Sequence, residues 1–203
     1  MKLHYSAASP FVRKVMVVAH ETGLDKKIET VPAQADPTIL NAALSADNPL
    51  QKLPTLVTDG GETLYDSGVI CEYLDSLHDG RKLFPPAGGA RWRALARMAL
   101  ADGILDAGVL CLYEQRYRAE DRRSAEWVAG QARKANQGFD ALERAVDEFD
   151  RDFAIGEIAV ACALGWFEFR QPIGDIRPGR PRLFAWFDAI SRRPSLLATV
   201  PRA

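Results

Sequence analysis

The sequence predicts two domains: an α/β N-terminal domain, followed by an all-α helical-bundle C-terminal domain. Three observations carry this. The first eighty residues alternate strand and helix signals. Residues 79–89, DGRKLFPPAGG, hold two prolines and three glycines, which resist both helix and strand. Every periodic segment after them has helical spacing. The expected division is therefore 1–78, a linker at 79–89, and 90–203, with two small domains sharing 203 residues.

Each element follows from local chemistry. Residues 3–5 form a short strand candidate that runs into SAAS. Pro10 suits the first turn of a helix, where a missing N–H costs nothing. Phe11, Val12, Val15, Met16 and Ala19 share one helical face, and Gly23 ends the run. Residues 28–31 read as the second strand and 37–44 as a short helix. Residues 55–57 and 62–64 flank Asp59-Gly60-Gly61, a hairpin signal. Val69, Ile70, Tyr73, Leu74 and Leu77 mark the next helix. The order is β-α-β-α-β-β-α.

Beyond the linker, Leu95, Met98, Leu105, Val109 and Leu112 mark a long helix. Val128, Ala132, Ala135, Phe139, Leu142, Val146 and Phe149 alternate spacings of four and three, which is a bundle seam. Ile155, Ile158, Ala159, Cys162, Ala163 and Trp166 give a third helix built on small, closely packing residues. The proline-rich stretch 171–181 interrupts, and residues 183–190 form the last expected helix.

Composition narrows the function classes. Hydrophobic residues at 47 % and charged residues at 26 % allow a real core and exclude global disorder. The 26 basic and 27 acidic side chains nearly cancel, so there is no electropositive footprint for nucleic acid. No apolar stretch nears the roughly 20 residues of a membrane span. The N-terminus lacks the apolar centre of a signal peptide, and a cytoplasmic location is expected. Cys71, Cys111 and Cys162 form neither a CxxC pair nor a disulfide framework. Their apolar helical settings predict burial as small hydrophobes. His4, His20 and His78 show no metal-ligand spacing, and no metal is expected. There is no GxSxG, GxGxxG or P-loop.

Four places could carry chemistry. At Ser9-Pro10-Phe11 a strand ends and a helix begins. The Ser9 hydroxyl can cap an orphan helix N–H, and the same positive helix end can hold an anion such as a thiolate. At Leu53-Pro54 a proline opens a strand, a position that sheets tolerate; the residues leave its isomer open. Asp66-Ser67-Gly68 precedes an apolar helix. It can be an ordinary cap, or it can hold a ligand carboxylate on Ser67 and the helix N–H groups while Asp66 pairs with an ammonium. On the long helix Asp102 falls on the apolar seam with Asp106 on its flank, as hydrogen-bonded structural residues or as the lining of a substrate pocket between the domains.

The order and spacing of SPFVRKV, NPLQKLPTL, LYDSGVICEYLD and ACALGWFEFR resemble bacterial glutathione S-transferases of the serine-type classes, and the likeness spans nearly the whole chain. The resemblance implies a thioredoxin-like N-terminal domain that takes glutathione as co-substrate, with an all-α C-terminal domain. It implies that Ser9 is the catalytic residue, with Ser6 in the same loop as the alternative. It implies that Leu53 precedes a cis-proline, Pro54, and pairs its backbone with the cysteinyl part of glutathione. Asp66 and Ser67 would hold the γ-glutamyl end, and Gln51 and Lys52 the glycyl carboxylate. Phe11, Asp102, Asp106 and Tyr113 would line the pocket for a small electrophile. A homodimer is expected on resemblance alone. One segment departs from the family: Ala154-Ile155-Gly156-Glu157 stands where a capping box opens with Ser or Thr, and the loop before it, 150–153, is short. Losing that cap should cost about 0.5–2 kcal/mol of local stability. The competing readings are a non-catalytic glutathione-binding scaffold and a glutathione-dependent thiol-disulfide oxidoreductase. The latter needs a cysteine where this chain has Ser9.

Overall fold

The computed structural model of the chain describes residues 1–149 and 152–202. Its Cα positions divide into two compact units, Met1–Pro86 with residues 194–202, and Ala87–Arg193.

The first unit is built on four strands. These are β1 (Lys2–Tyr5), β2 (Glu29–Pro32), β3 (Thr55–Val57) and β4 (Thr63–Leu64), with helices α1 (Pro10–Glu21), α2 (Ala42–Asp47) and α3 (Ser67–Ser76). The sheet order is β2-β1-β3-β4. β1 runs parallel to β2 and antiparallel to β3, and β3 pairs antiparallel with β4. The β3–β4 hairpin closes through Thr58, whose N–H donates to the Glu62 carbonyl at 2.8 Å, while Gly61 supplies a φ of 85°. The expected β-α-β-α-β-β-α order is the observed one.

Three details of this unit differ from the sequence reading. α2 starts at Ala42 rather than Pro37. The Asp36 carboxylate takes the Thr38 N–H and hydroxyl, which holds that stretch out of the helix, and Asn41 caps by accepting from Leu44 N–H at 3.1 Å. α3 buries Ser67, Ile70, Cys71, Leu74 and Asp75, and leaves Val69 and Leu77 exposed. The face is rotated because Asp75 is an inward anchor. Its carboxylate accepts from the N–H groups of Leu83 and Phe84 at 2.8 and 3.1 Å and pins the middle of the expected linker. Finally, a further helix, α8 (Pro194–Ala198), follows the last one expected. It packs on α1, which is why α1 buries Arg13, Lys14 and Val17 as well as the apolar stripe.

The second unit is all helix: α4 (Gly88–Tyr117), α5 (Ala125–Ala145), α6 (Ile155–Arg170) and α7 (Pro181–Ile190). α4 begins inside the expected linker, because Gly88 turns the chain at a φ of 70°. Its buried seam is Ala94, Ala101, Ile104, Leu105, Ala107, Gly108 and Cys111, so Leu95, Met98, Val109 and Leu112 are only half-buried. Small residues win that seam because α6 approaches closely: a Cβ on Gly108 would lie 2.4 Å from Phe167. All three cysteines are buried, and burial pushes the Cys111 thiol up from its ordinary value.

α6 opens on Ala154 with no side-chain cap. Glu157, fully buried, instead pairs with Arg97 of α4. Asp150 and Arg151, in the loop before α6, lie outside the described residues. Arg97→Met strips this cation from a carboxylate inside the core and should cost about 3–5 kcal/mol of stability. Denaturant unfolding reads the loss, and an unchanged midpoint would contradict this account of how α6 is held.

Candidate functional site

Strand direction brings the separated motifs together. β1 and β3 are antiparallel with His4 opposite Thr55, so the chain leaving β1 and the chain entering β3 meet at one end of the sheet. β4 runs against β3 with Leu64 opposite Leu56, so the chain leaving β4 arrives at that same end. β2 is parallel to β1 and exits there too, with Ala33 N–H donating to the Tyr5 carbonyl at 2.9 Å. Ser6 and Ser9, Gln51 to Pro54, and Asp66 with Ser67 therefore gather at one end of the sheet.

Ser9 is the N-cap of α1. Its Oγ accepts from Val12 N–H at 3.3 Å, and its own N–H donates to the Ser6 carbonyl at 3.1 Å. The first turn of α1 carries no acid, and Arg13 and Lys14 are buried just behind it. Arg13 donates Nη2 to the Leu196 carbonyl at 3.3 Å, while its Nε and Nη1 are buried without a partner among the described residues. Helix dipole and buried cations share a sign, so this end favours an anion.

The Leu53–Pro54 bond is cis and Pro54 is buried. Leu53 stands outside the ladder, which starts at Thr55. A polar knot fixes the corner: Asn48 Nδ2 donates to the Lys52 carbonyl at 3.2 Å and to Thr55 Oγ1 at 2.9 Å, and Thr55 Oγ1 donates to the same carbonyl at 2.9 Å. The Lys52 side chain is exposed, with no ion pair among the described residues. The Gln51 amide is engaged within the protein, with Asn41, Ser45, Asp36 and Ile39.

Asp66 is the N-cap of α3, its Oδ1 accepting from Gly68 N–H at 2.9 Å, and the Tyr65–Asp66 bond is also cis. Asp66 is exposed and Ser67 is buried at the first residue of the helix. Of the expected pocket residues, Phe11 is half-buried on α1. In the second unit, Asp102, Asp106 and Tyr113 fall on one face of α4, and Tyr113 stacks edge-on to Tyr117.

The arrangement suits a small, extended, multiply charged ligand. The N-termini of α1 and α3 each offer the positive end of a helix dipole, Asp66 an exposed carboxylate and Lys52 an exposed cation. Asn48, Thr55 and Arg13 escaped the sequence reading. The Asn48-Pro49 pair is a turn signal that pointed to the first. Arg13 carried no such signal, because the helix that covers it was not expected. Among the described residues no group of three or more His, Cys, Asp or Glu could hold a metal, and no helix is long and apolar enough to cross a membrane.

Comparison with known proteins points to one family. The glutathione S-transferase N-terminal domain model matches residues 8–77, and the C-terminal domain model matches residues 125–189. The chain is 35 % identical to the uncharacterized GST-like protein YibF of Escherichia coli K12, over 99 % of this chain and 98 % of that protein. A glutathione transferase family member from Pseudomonas fluorescens Pf-5, solved with bound glutathione, is 47 % identical with a TM-score of 0.97, covering 100 % of this chain and 99 % of that one. A glutathione S-transferase from Methylobacillus flagellatus KT, with glutathione bound, is 34 % identical with a TM-score of 0.90, covering 99 % of each. With both family domains matched and the likeness running end to end, the chain belongs to the glutathione S-transferase family.

Proposed function

We propose that the chain is a serine-type glutathione transferase, which binds glutathione and activates its thiol at Ser9 for attack on a hydrophobic electrophile or a peroxide. The observation that carries this is the convergence of the Ser9 cap, Pro54 and the Asp66–Ser67 helix start at one end of the sheet. The similar Pseudomonas and Methylobacillus structures, both holding glutathione, support it. In this reading Asp66 takes the γ-glutamyl ammonium and Ser67 with the α3 N–H groups takes its carboxylate. The backbone of Leu53 pairs with the cysteinyl part, and Lys52 faces the glycyl carboxylate.

Ser9 acts as a hydrogen-bond donor. A hydroxyl has one donor and two acceptor lone pairs, so Oγ can accept from Val12 N–H and donate to the thiolate together. A serine is a poor base, and no histidine lies in its motif to activate it. A hydrogen bond to a charged group contributes about 1.5–3 kcal/mol. At about 1.4 kcal/mol per unit, that lowers the thiol pKa by roughly one to two units from near 8.5. The helix dipole adds about 0.3–1 kcal/mol in the same direction. The thiolate then forms a bond to the electrophilic carbon, and the leaving group departs with its electron pair.

A panel of electrophiles with glutathione, run beside a disulfide-reduction assay, tests the activity. Conjugation without disulfide reduction is the expected result. Disulfide reduction alone would support the oxidoreductase reading, and no turnover with intact glutathione binding would support a scaffold. The three buried cysteines already weigh against the oxidoreductase.

The same reading extends to a homodimer. Leu50, Tyr65 and Val69 are exposed in the first unit, and Trp92, Leu100, Leu110 and Trp127 in the second, which leaves apolar side chains for a second copy to cover. Light scattering should give twice the 22.4 kDa chain mass at micromolar concentration. A mass of one chain would refute the dimer.

A further inference from the structure

One side chain ties the segment between β2 and α2 to the corner that precedes cis-Pro54. Gln51 Oε1 accepts from the Asn41 N–H at 2.7 Å and the Ser45 hydroxyl at 3.2 Å. Its Nε2 donates to the carbonyls of Ile39 at 2.7 Å and Asp36 at 3.2 Å. A primary amide offers two N–H donors and one oxygen with two lone pairs, so this one is fully used. Its partners reach from residue 36 to residue 45, which spans the loop and the first turn of α2. Gln51 is itself fixed. Its N–H donates to the Asn48 carbonyl at 2.8 Å, and its backbone sits at a φ of 51°, a region that disfavours any residue with a Cβ. The next residue, Lys52, has its carbonyl gripped by Asn48 and Thr55. The loop so held carries two bare apolar side chains, Ile39 and Leu40.

We propose that Gln51 is a positioning residue: it fastens residues 36–45 to the Lys52–Leu53–Pro54 corner and acts on glutathione through that loop, without touching it. The proposal rests on the glutathione reading of the corner and moves Gln51 from ligand contact to internal tie. Ordering the loop beforehand removes a cost that binding would otherwise carry.

Two variants separate the side chain from the backbone. Gln51→Ala removes the amide and keeps the unfavourable φ. Gln51→Gly removes the amide and suits the φ. In the ligand-free protein, hydrogen exchange at the Asn41 amide, followed by NMR, should speed about tenfold or more in both variants, while Leu3 and Leu56 in the sheet are unchanged. Calorimetry should show glutathione affinity falling about tenfold, and affinity for γ-glutamylcysteine, which lacks the glycyl carboxylate, falling by the same factor. KM for glutathione should rise while kcat at saturation stays within about twofold. Unchanged Asn41 exchange, or a loss confined to glutathione with γ-glutamylcysteine spared, overturns the proposal in favour of direct contact. Wild-type protein that takes up no glutathione overturns the reading of the corner and this proposal with it. Wild-type binding with undiminished Gln51→Gly affinity overturns this proposal alone.

Discussion

Replacing Asp66 and Ser67 together by alanine should weaken glutathione binding by a hundredfold or more. Each side chain would lose a hydrogen bond to a charged group of the γ-glutamyl end, at about 1.5–3 kcal/mol apiece. The pair then totals about 3–6 kcal/mol, and every 1.4 kcal/mol is tenfold in affinity. Asp66 also caps α3 through Gly68 N–H, so alanine there costs about 0.5–2 kcal/mol of helix stability as well. Asp66→Asn separates the two roles. Asparagine caps as well as aspartate does, but it brings no charge to an ammonium. It should keep the melting temperature and still lose about tenfold in affinity. Calorimetry showing unchanged affinity in the double variant would contradict the placement of the γ-glutamyl group.

Ser9→Ala should leave glutathione affinity near that of the wild type and cut turnover near neutral pH by about tenfold or more. The reason is ionisation. A thiol with a pKa around 7 is half thiolate at neutral pH, while one near 8.5 is only a few per cent thiolate. The rising limb of the pH–rate profile should therefore move up by one to two units, and turnover should recover at high pH. The cap contact to Val12 N–H is long, so the loss of helix stability belongs at the low end of the capping range. Ser9→Cys should divert activity toward disulfide chemistry. If Ser9→Ala left the profile in place while Ser6→Ala moved it, the donor would be Ser6.

The elements of the first unit were legible because their signals are local. Pro10 at a helix start, Gly61 in a hairpin and Asp66 before an apolar run each fix a backbone feature within a few residues. What sequence misplaced depends on distant partners. Val69 looked like core because it is apolar, but Asp75 anchors to Leu83 and Phe84 and turns α3 so that Val69 faces out. The α4 seam was read through its large residues, whereas close approach of α6 selects Ala101, Gly108 and Cys111. Arg13 drew no reading from sequence, because its burial depends on α8.

The site divides the same way. Ser9, Leu53–Pro54 and Asp66–Ser67 were visible as three weak signals, because each is a helix start or a proline with its own local rule. That they meet follows from the antiparallel registers of β1, β3 and β4, which no single segment encodes. Gln51 shows the limit. Its place in the motif suggested a ligand contact, and only the bonds to Asp36, Ile39, Asn41 and Ser45 reveal an internal tie.

The central claim is that this end of the sheet turns a bound thiol into a thiolate, and a direct titration of that thiol tests it. Saturating the protein with glutathione and following thiolate absorbance against pH, with the Ser9→Ala protein as reference, gives the ionisation of the bound ligand. The account predicts a bound pKa around 7 in the wild type, about one to two units below the free value near 8.5, and a return toward the free value in Ser9→Ala. A bound thiol that titrates at the free value in the wild type would contradict it.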